Sequence, residues 1–147
     1  MSSNGPCLIA MHLVLEVLAT ARALEKAGQR IFRPHGLSTA QFNILNLLSD
    51  QPEGMRASDL ARSLIVDPSS ITGLLRRMKK EGYLKELDNQ ADRREHVVGL
   101  APKGQKAWHA AFRDYQRSLK EIQAAFKPAD EAATRRILAG IGNYTSS

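Results

Sequence analysis

Between residues 8 and 32 the apolar positions Leu8, Met11, Leu15 and Leu18 recur at helical spacing, with Ile9, Leu13, Val14 and Val17 beside them. A stripe this broad predicts a helix with two neighbours, ended by Pro34, His35 and Gly36. Ser38 followed by Gln41 is a capping-box pair, and Phe42, Ile44, Leu45, Leu47 and Leu48 predict a second amphipathic helix behind it. Pro52 and Gly54 break that helix. A third, short helix is expected over 58–64, with Leu60, Ala61 and Leu64 inward. Asp67-Pro68 supplies a cap and a first helical residue for a fourth helix over 68–81, closed by Gly82. Residues 83–87 and 96–100 read as two strands around a polar tip, 88–95. Pro102 and Pro128 then open helices over 102–126 and 128–143. In the first of these, Trp108, Phe112, Tyr115, Leu119, Ile122 and Phe126 alternate spacings of four and three, a heptad seam.

At 100° per residue the fourth helix sorts cleanly into two faces. Ile71, Leu74, Leu75 and Met78 share one face and belong to a core. Ser69, Thr72, Gly73, Arg76, Arg77 and Lys80 share the other. Short hydroxyls near the helix start, a glycine permitting close approach and cations further along suit insertion into a DNA major groove. A solvated cationic helix would show the same face. The order of elements shifts the weight, because a short helix, a tight connection through Ile65-Val66-Asp67, this helix and a hairpin make a winged helix-turn-helix. The hairpin tip carries Arg93 and Arg94, with Asp92 two residues before the second. An extended arginine fits the narrow, negative minor groove, and Asp92 would orient it by a charge-assisted hydrogen bond.

Charge follows the same segment. The net charge is +6. From Met55 to Lys106, eleven Lys and Arg face seven Asp and Glu, so most of the excess sits in the expected reader. The chain's 147 residues suffice for one domain that buries about two-thirds of its unfolded surface. Aromatic content of 5% leaves the core to aliphatic residues. A single cysteine, Cys7, excludes an intrachain disulfide and a Cys-based zinc cluster. No apolar run is expected to span a bilayer, since His12 and Glu16 interrupt the best one, and no secretory signal is expected. The expected setting is the cytoplasm.

The segments SDLARSL and DPSSITGLLRRMKKEGYL, the wing DRRE and the following LAPKGQ together resemble the MarR family of bacterial transcription regulators. Ala101-Pro102 departs from the leucine-threonine usual before the Lys-Gly of that family, a change expected to touch only the helix start. The resemblance implies a mainly α fold: about six helices plus a β-hairpin wing. One domain over 1–147 would contain a DNA-binding lobe at 37–101, flanked by dimerisation helices at 7–33 and 102–144. It further implies a homodimer on double-stranded DNA with a pseudo-palindromic operator. Ser69, Ser70, Thr72, Arg76 and Arg77 would then contact the major groove or its phosphates, Arg94 would probe the minor groove beside Asp92, and Arg93 would meet a phosphate. Arg56 and Ser58, at the start of the third helix, would contact the DNA backbone. The apolar terminal helices make the same point about assembly, because one chain cannot easily hide the seam on the long helix together with the stripes at both ends.

The resemblance also implies a small aromatic or anionic effector, for which His12, Arg22, Phe42 and Trp108 are the candidate contacts. Four histidines lack metal-ligand spacing, so no metal and no cofactor is expected. No phosphate loop, nucleophile elbow or HExxH motif is present, and no enzyme is expected. The reading is a ligand-responsive repressor. The alternatives are a redox-sensing regulator of the same fold acting through Cys7, and a winged-helix interaction module without DNA binding.

Overall fold

The computed structural model describes residues 5–64, 66, 68–87 and 96–144. Six α-helices and a small sheet follow in the order α1 (Gly5–Phe32), α2 (Thr39–Leu48), β1 (Met55–Arg56), α3 (Ala57–Leu64), α4 (Pro68–Lys80), β2 (Leu84–Leu87), β3 (Val97–Leu100), α5 (Pro102–Gln123) and α6 (Pro128–Tyr144). The chain divides into two compact units, residues 1–112 and 113–147, with the boundary inside α5.

Within the first unit, Phe32 from the end of α1 stacks on Phe42 of α2, ring centres 4.0 Å apart. Around that pair lie Leu45, Leu48, Leu60, Ile71, Leu75, Met78, Leu84 and Val98, all buried. The core therefore draws on α1, α2, α3, α4 and the sheet. The capping box that opens α2 is complete. The Ser38 Oγ accepts from the Gln41 backbone N–H, and the Gln41 Oε1 accepts from the Ser38 N–H at 2.8 Å.

The sheet carries a strand that periodicity could not show. β1 pairs antiparallel with β3 (Met55 with Val98, Arg56 with Val97), giving the order β1-β3-β2. Two residues are too short to display an alternation. What marks this strand is Gly54 at φ +73°, where an added Cβ would fall 2.5 Å from the Val98 carbonyl oxygen. β2 pairs with β3 from Leu84–Leu100 to Leu87–Val97, so β3 lies central and its Val97, Val98 and Gly99 are buried. The tip between these strands, with Asp92, Arg93 and Arg94, lies outside the described residues, as do Ile65 and the expected cap Asp67.

α1 corrects one expectation. By length and composition alone, the stretch Cys7–His35 is long and apolar enough to cross a membrane. His12 and Glu16 dilute its hydropathy without ending the helix, because isolated polar residues leave an apolar turn on either side. Its Leu8, Ile9, Met11, Leu15 and Leu18 are exposed in the single chain. α5 ends at Gln123, short of the expected 126, so Phe126 at the end of the heptad seam lies beyond the helix.

The second unit holds the rest of α5 and α6. Leu119, Ile122, Ile137 and Leu138 are exposed there in the single chain. Arg117 pairs with Asp114, and Arg135 with Glu131, one helical turn apart in each case.

Candidate nucleic-acid interface

α4 presents the two faces its periodicity predicts. Ile71, Leu75 and Met78 are buried, and Leu74 is half-buried at the edge. Ser69, Ser70, Thr72, Arg76, Arg77 and Lys80 are exposed, and Gly73 has open space where a side chain would project. Thr72 donates its hydroxyl to the Pro68 carbonyl at 3.1 Å, which orients the oxygen while leaving its lone pairs to accept. α3 packs behind α4 through Leu60 and Ala61, and the turn between them is closed by the Val66 N–H donating to the Ala61 carbonyl at 3.1 Å. This geometry holds one helix against the core and leaves a polar, cationic face outward.

At the start of α3 the arrangement adds an acid. Asp59 accepts from Arg56 at 3.3 Å and from Arg62 at 3.1 Å, so one carboxylate holds two arginines, while Ser58 is exposed beside them. Arg62 escaped the sequence reading, although its spacing of three from Asp59 was a usable signal. Glu86 on β2 is a second such acid. Its Oε2 receives Lys79 of α4 at 3.0 Å and its Oε1 meets the Nδ1 of His96, just before β3. Lys79 foremost, and His96 after it, hold the Glu86 carboxyl below the usual carboxylate range. Nothing in the sequence joins these three, because the contact exists only once the hairpin lies on α4.

The four candidate effector contacts have different surroundings in the single chain. Phe42 has no exposed surface and is a core residue, which withdraws it from the open contacts. Trp108 is half-buried, donates from Nε1 to the Asn46 Oδ1 at 3.1 Å and stacks on Phe112 at 4.9 Å. His12 and Arg22 are exposed on α1. The wing contacts Asp92, Arg93 and Arg94 lie outside the described residues.

A model of the MarR family matches residues 37–96, the span from the start of α2 to the return of the wing. Over 119 residues the chain is 32% identical to the homoprotocatechuate degradative operon repressor of Escherichia coli, covering 79% of each protein. Over 102 residues it is 33% identical to the transcriptional activatory protein BadR of Rhodopseudomonas palustris, where it spans 58% of that protein's length. The Mycobacterium tuberculosis regulator MosR, solved in complex with DNA, superposes with a TM-score of 0.72 at 27% identity, covering 90% of this chain and 95% of that one. AbsC, a MarR family regulator of Streptomyces coelicolor, superposes at 0.77 with 21% identity over 99% of this chain and 97% of its own, a likeness of fold alone.

Proposed function

The chain belongs to the MarR family of DNA-binding transcription regulators, and from that premise we propose that it works as a homodimeric, ligand-responsive repressor on a pseudo-palindromic operator in the cytoplasm. The observation that carries this reading is α4: its apolar face is sealed in the core while Ser69, Thr72, Arg76 and Arg77 stand outward beside an open Gly73. The E. coli relative named as a repressor is covered more fully than the R. palustris activator, which favours repression. That relative's name, an operon for degrading homoprotocatechuate, favours an aromatic carboxylate as effector. Binding of such an anion would alter the separation of the two winged lobes, so that both α4 helices no longer fit successive major grooves about 34–36 Å apart.

The reading is one of a regulator and not of an enzyme, and titration against DNA tests it. Fluorescence anisotropy with DNA from upstream of the protein's own gene, against scrambled DNA at several salt concentrations, is expected to show tight, sequence-dependent and salt-sensitive binding. Arg94→Ala is expected to weaken operator binding by about 1–3 kcal/mol without dissociating the dimer. Weak binding that is alike for every sequence and indifferent to Arg94 would favour an interaction module. Small aromatic carboxylates are expected to release the operator.

A further inference from the structure

The first turn of α5 is fastened to the joint at which α4 ends. α4 closes through Glu81, Gly82 and Tyr83 in a Schellman arrangement. The Gly82 N–H donates to the Lys79 carbonyl at 3.0 Å and the Tyr83 N–H to the Met78 carbonyl at 2.9 Å, with Gly82 at φ +82°. Lys103 reaches this joint from α5. Its Nζ donates to the Glu81 carbonyl at 2.6 Å and lies 4.4 Å from the centre of the Tyr83 ring. A cation here meets the negative end of the α4 dipole and a carbonyl that has no partner within the helix.

Two backbone contacts hold the same point. The Ala101 N–H donates to the Tyr83 carbonyl at 3.0 Å. Gly104 packs so closely on that carbonyl that an added Cβ would fall 2.0 Å from its oxygen. The backbone contacts fix where α5 begins. Among the described residues, the Lys103 ammonium connects α5 to both the end carbonyl of the helix and the ring that leads into the wing.

We propose that Lys103 is a positioning residue for DNA recognition, locking the C-terminal end of α4 to α5 and setting operator affinity without touching DNA. This rests on the DNA-binding reading above. Among the charged groups around the joint, the Glu81 carboxylate is turned to Gln41, whose Nε2 lies 3.4 Å from its Oε2, and Lys79 is engaged by Glu86, so Glu81 does not draw the Lys103 ammonium away and Lys79 does not compete for the Glu81 carbonyl. Because a solvent-exposed contact of this kind contributes little to global stability, its loss is expected to appear in the orientation of α4 before it appears in folding.

Lys103→Met keeps the stem and removes the ammonium, whereas Lys103→Arg keeps donors and a cation within reach of the carbonyl and the ring. In the anisotropy titration, Lys103→Met is expected to weaken operator binding about tenfold with the salt slope unchanged, and Lys103→Arg to restore most of it. Both variants are expected to melt close to wild type. A salt slope reduced by about one would make Lys103 a phosphate contact and overturn the proposal. Unchanged affinity, or a loss that tracks a fall in melting temperature, would overturn it too.

Hydrogen exchange on the free protein reads the lock without DNA. Faster exchange at the Gly82 and Tyr83 amides in Lys103→Met is expected, and unchanged exchange there would overturn the lock. A wild-type protein that fails to tell operator from scrambled DNA would instead overturn the DNA-binding reading, leaving the exchange result to decide the lock by itself.

Discussion

Gly104 shows how much a single hydrogen can carry. An alanine there would drive its Cβ to 2.0 Å from the Tyr83 oxygen and 3.0 Å from its carbonyl carbon, both backbone atoms that no rotamer change can clear. Gly104→Ala is expected to destabilise the protein by about 3 kcal/mol, by pushing α5 off the start of β2, and urea unfolding will measure the loss. Glu86 gives the contrasting case, an exposed group whose effect depends on pH. Its carboxyl is held below the ordinary range by Lys79 and then His96, so folding is favoured when it is ionised. That contribution is present above the unfolded carboxylate pKa of about 4.3 and is lost as pH falls through the lower folded value. Denaturation between pH 3 and pH 6 is expected to show wild type approaching Glu86→Gln in stability at the acid end. The difference near pH 6 should stay below about 1 kcal/mol, because water screens the pair.

Among elements, α4 is the most legible in the sequence and the most consequential. Its residues repeat at 3.6 per turn, so burial of Ile71, Leu75 and Met78 follows from position alone, and the cations opposite must face outward. Gly73 lies on that outward face with nothing within 4 Å of its missing side chain. Gly73→Ala is therefore expected to stabilise the free protein by about 0.5–1 kcal/mol through helix propensity, while weakening operator binding by holding the backbone off the DNA. Thermal melting and anisotropy on the same variant will show the two effects with opposite signs. The capping box of α2 was equally legible, because both of its hydrogen bonds close within three residues. β1 was not, since two residues carry no period and their pairing with Val97 and Val98 depends on the wing folding back. For the same reason the candidate site was read only in part. Arg76 and Arg77 followed from the wheel, whereas the Lys79–Glu86–His96 cluster and the Lys103–Tyr83 contact needed segments brought together by packing.

For the whole molecule, the apolar residues that the single chain leaves open set the expectation. Leu8, Met11, Leu15 and Leu18 on α1 stand exposed, and so do Leu119, Ile122, Ile137 and Leu138 on the last two helices. Burying them across a two-fold axis is the arrangement we propose, and sedimentation equilibrium is expected to give a dimer whose melting temperature rises with protein concentration. Leu15→Asp is expected to weaken that dimer, and a monomeric wild type would count against it. The sequence by itself determined where the helices lie, the capping box of α2, the glycine that closes α4, the inward face of α4 and the run of elements that marks a winged helix-turn-helix, because these depend on periodicity and on contacts a few residues apart. Tertiary structure alone decided that Phe42 belongs to the core against Phe32, that β1 joins the sheet, that Glu86 links α4 to the wing stem and that Lys103 closes the end of α4. Each of those joins residues whose separation along the chain says nothing of their separation in space, and only the packing of one element on another brings them within reach.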